Sequence, residues 1–525
     1  MKLQVSIVRS AAAAVALLAS ACAAKPYFVD FENGSDAGGG GFPSDPWKHC
    51  PGDDGAQASA RRAALSPGDT VYFRGGIVYK GQIAVQWRGA SGAPVVYDGN
   101  SSGKWGWGKA VIDGGNTWSN GFVSTQRSVG GVIIRNFEIR AIRYTGVEWA
   151  GGAGIKIDNA DHVTIADCFI HDVGYWNNDG STVPAGSGIS MVQPSNCLIT
   201  GNEITRTGLA GVQLLGPQTT VVSRNNIHDY VTWGIDLTGD YRACSENDVC
   251  DNVVHDLFRY DKGFWKGAGD PPHSDFCFIR KGGGFHPVRN IVERNLFFND
   301  FAFGEFGGTA MLFLSFADST VIRDNVFINA HSYSAVFFGW TSTATGFYNN
   351  TVYCPRTGAL RLSTGGNNDI RNNIFVAQSE GLTYDSASDE KNLTIDHNLY
   401  CVPDDGKAFV RVSPWEGWSF AAWRKRGYDL QSRLLASAAS FKFVTLHGYP
   451  VHCDSMDLHV LSGSAASGAG SVIADFRDGK CGRERAAKGS WDIGAFAVAT
   501  GAGDGHAVVT APAPPKRKEQ PLHHD

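Results

Sequence analysis

Charged residues, metal-binding spacings and long apolar runs are scarce in this chain. Only 18% of its 525 residues are charged, whereas glycine occurs 65 times and aromatic residues make up 11%. This composition argues against a disordered or coiled-coil chain and favours a β-rich protein with many turns. Neither a CxxC nor an HxxxH spacing occurs, which argues against a zinc site.

The charge balance and the N-terminal segment bear on partners and location. The formal net charge is −5 and the sequence suggests no basic patch, so we expect no nucleic-acid partner. The start, MKLQVSIVRSAAAAVALLASACAAK, has the layout of a secretory signal peptide over residues 1–24, and no later apolar run is long enough to cross a bilayer. We therefore predict a secreted, periplasmic or cell-surface protein, with cleavage after Ala21 and lipidation of Cys22 as the two alternatives for the leader.

Eleven cysteines occur, and Cys22 lies in the leader. The remaining even number predicts disulfide pairing in an oxidising compartment, with Cys244 and Cys250 as the best local candidates. The sequence does not assign the other cysteines to pairs.

A short motif recurs through the middle of the chain, as in VIIRNFEI, CLITGNEI, TVVSRNNI, IVERNLFF and VIRDNVFI. Spacings of 23 to 43 residues between equivalent positions indicate a solenoid whose units bury their apolar faces against each other. The alternation within each motif has period two, so the units are strands. Stacked asparagines are expected to form an internal hydrogen-bonded ladder at Asn136, Cys168, Asn202, Asn225, Asn252, Asn295, Asn325, Asn350, Asn373 and Asn398.

With this ladder the sequence resembles the right-handed parallel β-helix proteins that include pectate lyases, alginate lyases, chondroitinase B-like lyases and polygalacturonases. YFVDFENGSD and LSPGDTVYFRGGIVY are similar to their N-terminal cap and first coil, with a short helix near Ala56 to Leu65, and SWDIGAF to a closing segment. The resemblance implies an all-β fold: a single-stranded right-handed parallel β-helix, a solenoid. Its expected parts are an N-terminal cap (residues 25–70), the β-helix (71–400), a C-terminal capping segment (401–498) and a disordered tail (499–525).

A second strand follows each ladder motif, from GIKID through GISMV, GVQLL, GIDLT, DFCFI, AMLFL and AVFFG to ALRLS. In matching registers, equal positions stack about 4.8 Å apart. We expect the interior to be filled by Ile155, Ile189, Val212, Ile235, Phe276, Met311, Val336 and Leu360. The outward row is then Lys156, Ser190, Gln213, Asp236, Cys277, Leu312, Phe337 and Arg361. Its polar first half is the predicted open face, with Asp236 next to Asp275 and with Lys156 and Gln213 as substrate-binding candidates.

The longest gap, between Asn252 and Asn295, contains the insertion RYDKGFWKGAGDPPHSD. Insertions on one face of a solenoid commonly line its binding groove. Trp265 is a candidate for stacking on a sugar ring, and Lys262 and Lys266 for facing an anionic polymer. A purely solvated loop is the alternative.

The stretch from His273 to Lys281 is the predicted catalytic cluster. Elimination across a uronate ring needs a neutralised carboxylate, a base for the C5 proton and a donor for the leaving oxygen. Lys281 or Arg280 is the candidate base and His273 a donor or base, while Asp275 could orient His273 or help to hold a cation. Asp236 joins this set as the neighbouring carboxylate, and a purely structural role for the cluster is the alternative.

The preferred function is a polysaccharide lyase acting on an anionic, uronate-containing polymer. Lys281 is placed similarly to the lysine base of some β-helix pectate lyases, but the acidic calcium cluster of those enzymes is not recognisable, so calcium dependence is open. One alternative is a glycoside hydrolase with paired carboxylates such as Asp236 and Asp275, and another is a non-catalytic glycan-binding surface protein. Further loop candidates are Glu148, Trp176, Asp179 and Glu305. The sequence does not predict an oligomeric state.

Overall fold

The computed structural model describes fifteen stretches of the chain. They are residues 24–126, 128–143, 152–174, 185–257, 274–299, 310–328, 334–354, 357–363, 365–377, 381–384, 390–402, 409–412, 416–436, 462–473 and 489–495. No helix among these residues is long and apolar enough to cross a membrane.

The described strands form three sheets of 13 strands each, and successive strands of one sheet come from successive coils of the chain. All neighbours pair in parallel except the last two strands of the third sheet. The first sheet contains β1 (Pro26–Val29), β2 (Thr70–Phe73), β5 (Val95–Asp98), β8 (Val129–Arg135), β11 (Ala160–Ala166), β14 (Leu198–Thr200), β17 (Val221–Ser223), β20 (Asp248–Cys250), β23 (Ile291–Glu293), β26 (Val321–Arg323), β29 (Gly346–Tyr348), β32 (Asp369–Arg371) and β35 (Thr394–Asp396).

The second sheet follows the first in each coil. It contains β3 (Val78–Lys80), β6 (Ala110–Asp113), β9 (Phe137–Ile142), β12 (Phe169–Val173), β15 (Glu203–Thr207), β18 (Asn226–Tyr230), β21 (Val253–His255), β24 (Leu296–Phe298), β27 (Val326–Ile328), β30 (Thr351–Cys354), β33 (Ile374–Ala377), β36 (Leu399–Cys401) and β39 (Arg433–Leu434).

The third sheet completes the coil and carries the candidate site. It contains β4 (Ile83–Val85), β7 (Asn120–Ser124), β10 (Ala153–Asp158), β13 (Ser187–Val192), β16 (Ala210–Leu215), β19 (Trp233–Gly239), β22 (Asp275–Lys281), β25 (Ala310–Ser315), β28 (Ser334–Gly339), β31 (Gly358–Leu362), β34 (Leu382–Tyr384), β37 (Val410–Val412) and β38 (Glu416–Trp418).

The asparagine ladder lies at the turn from the first sheet to the second. The Nδ2 of Asn252 donates to Oδ1 of Asn295 (2.9 Å), and that same oxygen accepts from the backbone amide of Asn252 (3.0 Å). The pattern continues without a break from Asn202 to Asn398. The predicted ladder is therefore confirmed over these coils, and it satisfies buried backbone groups that a tight turn would otherwise leave unpaired.

Each of the two described helices packs with a buried aromatic side chain. The helix α1 (Ala58–Arg62) lies in the N-terminal segment, where Ala60 packs with Trp47 and Ala56. At the other end, the helix α2 (Phe420–Lys425) buries Trp423, whose indole donates to Asp429 at 2.8 Å. Burial raises the pKa of Asp429 to about 6 despite several hydrogen bonds to it.

The predicted register of the third sheet is correct except in β22 and β25. Lys156, Ser190, Gln213 and Asp236 form one row as expected, and Phe337 and Arg361 continue it at the far end. Between them the row contains Phe278 and Phe313, whereas the predicted members Cys277 and Leu312 continue the interior row from Ile235.

The error has a physical cause in the core of these two coils. Phe276 stands opposite Gly234, one residue before the interior row, and Met311 follows it in the next coil. Both side chains are buried in the core, as are their neighbours Cys277 and Leu312. Two consecutive residues of these strands therefore enter the core, which an alternating pattern does not anticipate.

The local disulfide prediction is also wrong. Cys244 is a free thiol in the core, with the amide of Asn247 3.5 Å from its sulfur. Cys250 instead lies in the first sheet between Ser223 and Glu293. Cys50, Cys168, Cys197, Cys277 and Cys401 are also free thiols in the described part of the chain.

Candidate active site

The outward face of the third sheet carries a buried ion pair at the centre of the chain. Nε of Arg280 donates to Oδ1 of Asp236 at 2.9 Å, and its Nη2 donates to Oδ2 at 3.1 Å. The two residues are 44 positions apart, and the stacking of β22 on β19 brings them together. The arrangement is bidentate, which fixes the plane of the guanidinium as well as its position.

The two partners differ in burial. The side chain of Asp236 is 0% exposed and that of Arg280 is 26% exposed. Asp236 also accepts from Oγ1 of Thr238 (2.9 Å), and Nε2 of Gln213 lies 3.5 Å from its Oδ2. Burial lowers the pKa of Arg280, but the charge and hydrogen bonds of Asp236, together with the charges of Asp240 and Asp275, outweigh this effect and the net shift is upward. Arg280 is therefore a permanent cation whose side chain keeps 26% of its surface exposed.

Aromatic rings support this cation. The guanidinium carbon lies 4.7 Å from the ring centroid of Trp233 and 5.3 Å from that of Phe278. Phe278 begins a stack that continues through Phe313 and Phe337, with centroids 4.7 Å apart at each step. Arg280 thus lies where the outward face changes from the polar row that ends at Asp236 to the stack of aromatic rings that begins at Phe278.

The polar half of the face extends from Asp236 toward the N-terminus through Gln213 and Ser190 to Lys156. Gln213 is buried against Asp236, whereas Lys156 is half-buried at the far end of the row. Burial raises the pKa of Asp158, and Lys156 partly opposes the shift. Each coil advances about 4.8 Å, so the cations at the two ends of this row could face one extended polymer.

The structure does not bring Asp236 and Asp275 side by side as predicted. Asp236 is opposite Phe278, whereas Asp275 is opposite Trp233, three positions earlier along the strand. At about 3.3 Å per residue this separation is about 10 Å along the sheet. Asp275 is 1% exposed and accepts from the backbone amide of Ala310 at 3.1 Å. Its carboxylate is therefore not open to a substrate.

Lys281 follows Arg280 at the end of β22, opposite Gly239. It is half-buried at the corner of the coil, and its Nζ lies 4.9 Å from the ring centroid of Phe316. Lys281 and Arg280 thus bring two cations to the same end of the strand. Sequence reasoning found both, but it missed their aromatic supports because most of the relevant rings belong to other coils.

Several predicted residues lie outside the described part of the chain. These are His273, Trp265, Lys262 and Lys266 of the insertion and the loop candidates Glu148, Trp176, Asp179 and Glu305. Within the described part, no group of three or more histidine, cysteine, aspartate or glutamate side chains could hold a metal ion. The carboxylate of Asp236 is engaged by Arg280, so we assign no metal ligand to this face.

A family model described as a right handed beta helix region matches residues 116–269. These residues contain complete coils of the three parallel sheets. The chain is a right-handed parallel β-helix. No curated protein matches this β-helix.

Several solved structures are similar to this β-helix. Pectate lyase Pel9A matches with a TM-score of 0.47 and 15% identity over 90% of this chain and 96% of that one. A GH136 lacto-N-biosidase from Eubacterium ramulus matches with a TM-score of 0.47 and 12% identity over 75% of this chain and 67% of that one. A mannuronic acid specific family 6 polysaccharide lyase from human gut microbiota matches with a TM-score of 0.44 and 16% identity over 72% and 88%. Similarities of this size say nothing about the reaction of this chain.

Proposed function

We propose that this β-helix is an exported carbohydrate-active enzyme that cleaves a uronate-containing polysaccharide by β-elimination on the outward face of its third sheet. One observation carries the proposal, namely the guanidinium of Arg280, which the buried carboxylate of Asp236 holds in a bidentate pair while the arginine side chain stays 26% exposed. Such a preoriented cation matches the planar carboxylate of a uronate ring.

The proposed step requires a proton acceptor beside that cation. Arg280 is unsuited to this role because the pKa of its guanidinium is raised further by Asp236. Lys281 is the proposed base: its amine takes the C5 proton, the C5–H electron pair forms the C4–C5 double bond, and the C4–O4 bond breaks. The leaving O4 then takes a proton from a donor, for which His273 stays the sequence-based prediction. Neutralisation of the carboxylate by Arg280 supports the carbanion character at C5.

The rival hydrolase mechanism finds less support on this face. It needs two carboxylates that flank the glycosidic bond. Asp236 is fully buried in its pair with Arg280, and Asp275 is 1% exposed. Neither carboxylate offers the open oxygen that a nucleophile or a general acid needs.

The test compares elimination with hydrolysis on a panel of pectate, alginate, hyaluronan, chondroitin and neutral glycans. Unsaturated-uronate absorbance and reducing ends are measured together, with added calcium or with a chelator. We expect absorbance with at least one uronate polymer. Lys281→Met should lower the rate of elimination by about a hundredfold or more, because a general base usually accelerates a reaction by at least that factor. The matched control is Lys80→Met, because Lys80 is exposed at the end of β3 in the second sheet.

Three other results would contradict the proposal. Reducing ends without absorbance would favour hydrolysis, and binding without either signal would favour a glycan-binding protein. Elimination that survives Lys281→Met would remove Lys281 as the base.

Two accompanying measurements address questions that the sequence left open. Loss of elimination in chelator, with recovery on added calcium, would establish calcium dependence. Export, including attachment through Cys22, is tested by fractionating cells that express the full chain and determining the mature N-terminus.

A further inference from the structure

The corner at the end of the third sheet carries unusual residues in its later coils. Register aligns the residues at or directly after the ends of these strands, which in chain order are Asn159, Gln193, Gly216, Gly239, Lys281, Phe316 and Trp340. In the earlier coils this corner has a left-handed backbone at Asn159 (φ 51°), Gln193 (φ 49°) and Gly216 (φ 63°). Glycine and asparagine suit that conformation, because they adopt positive φ at the least steric cost.

Phe316 and Trp340 occupy this corner with the same backbone. Their φ angles are 54° and 42°, in the region where bulky side chains are rare. Trp340 also leaves 48% of its surface exposed. Both features cost free energy relative to a glycine or asparagine, so the turn does not by itself explain an aromatic residue here. Strained residues of this kind often mark binding sites.

The two rings are held in place by their neighbours. The ring centroid of Trp340 lies 6.5 Å from that of Phe316, with an interplanar angle of 26°. It lies 5.2 Å from the ring centroid of Phe313, which is buried. His286 meets Phe316 edge-on at 5.8 Å. Lys281 completes the row with its Nζ 4.9 Å from the centroid of Phe316. The result is a fixed aromatic shelf with the amine of Lys281 at one end, next in the chain to Arg280.

The side chains of Lys281, Phe316 and Trp340 indicate which class of ligand this corner could bind. The face of a pyranose ring presents C–H groups that favour the electron-rich face of an aromatic ring, and a uronate ring adds a carboxylate at its edge. We propose that Trp340 and Phe316 form a sugar-stacking subsite in which Arg280 pairs with the carboxylate of the stacked or adjoining uronate. This inference rests on the proposed function and extends it to a subsite that lies toward the C-terminal coils.

The test measures binding of uronate oligosaccharides of several lengths by isothermal titration calorimetry at low temperature, with the integrity of each oligosaccharide checked after the titration. Trp340→Gly is the key variant, because glycine fits the left-handed backbone and so offsets part of the stability lost with the contacts of Trp340 to Phe313 and Phe316. We expect it to weaken binding of the longer oligosaccharides by about tenfold while Trp340→Phe retains most of the affinity. Trp107→Gly is the control, since Trp107 is 89% exposed in the N-terminal coils.

The outcomes separate this subsite from the proposed function. Equal affinities for Trp340→Gly and Trp107→Gly, in a protein that still cleaves a uronate polymer, would overturn the subsite and leave the proposed function standing. Equal weakening for a neutral oligosaccharide would overturn the assignment to uronate. A marked loss of stability in Trp340→Gly would show that the ring serves the fold and would also overturn the inference. Failure of the wild-type protein to bind any uronate polymer would overturn both proposals.

Discussion

Truncating the two partners of the central ion pair should have unequal effects on stability. Arg280→Ala leaves the carboxylate of Asp236, which is 0% exposed, with the hydroxyl of Thr238 and a long contact to Gln213. Breaking a buried pair in this way costs about 3–5 kcal/mol, because the orphaned charge stays out of water. Asp236→Ala instead leaves a guanidinium that is already partly exposed and can turn toward solvent. We expect it to cost about 1–2 kcal/mol.

The double variant provides the decisive comparison. Removing both groups eliminates the orphaned charge, so Asp236→Ala combined with Arg280→Ala should be more stable than Arg280→Ala alone. The assay is urea unfolding, monitored by tryptophan fluorescence. The dependence of the unfolding free energy on urea concentration must be the same for all variants. Arg289→Ala is the control, since its pair with Glu246 is exposed on both sides and should contribute little.

The result that would refute this reasoning is an Arg280→Ala protein no less stable than the Asp236→Ala protein. That outcome would mean that water reaches Asp236 once the guanidinium is gone. The face would then be a solvated surface, and the preoriented cation on which the proposed function rests would lose its physical basis.

Two further predictions concern the coils around the site. Burial lowers the pKa of His228, but its bonds to Asp229 and Glu203 outweigh this and raise the pKa to about 9. The protonated form is therefore stabilised in the folded state, and up to about 3 kcal/mol that is present below pH 6.5 should be lost as the pH rises through about 9. Urea unfolding from about pH 6 to about pH 10 measures this, and an equal pH dependence in His228→Gln would contradict it. Gly211→Ala should destabilise the protein by several kcal/mol, because its Cβ would lie 2.7 Å from the carbonyl oxygen of Gly234; an unchanged urea midpoint would refute this packing argument.

The repeat made much of the fold predictable from the sequence. Asparagine recurs at the same place in successive coils, and buried amides at such a turn can satisfy one another when they stack. The ladder from Asn202 to Asn398 and the outward row from Lys156 to Asp236 follow from that regularity. Ser190, Gln213 and Asp236 follow one another at a constant spacing of 23 residues, so local alignment and spatial register agree there.

The prediction of register fails in β22, which follows the long insertion, and in β25 of the next coil. Alignment of apolar residues placed Cys277 in the outward row, but strand pairing places it inside and Phe278 outside. Phe276 and Cys277 both enter the core. An alternating pattern of apolar residues therefore cannot decide which of two registers, one residue apart, the strand adopts. The sequence also offered no signal that Cys244 would stay a free thiol.

The sequence by itself determined the solenoid, its strands and the presence of Arg280 and Lys281 at a strand end. Tertiary structure alone decided that Arg280 pairs with Asp236 and that Phe316 and Trp340 form one shelf with Lys281. The physical reason is that composition and periodicity act within a coil, whereas a site on a solenoid is assembled across coils. Neighbours on such a face are set by backbone pairing between strands, and a shift of one residue in that pairing exchanges the inside of the coil for its surface.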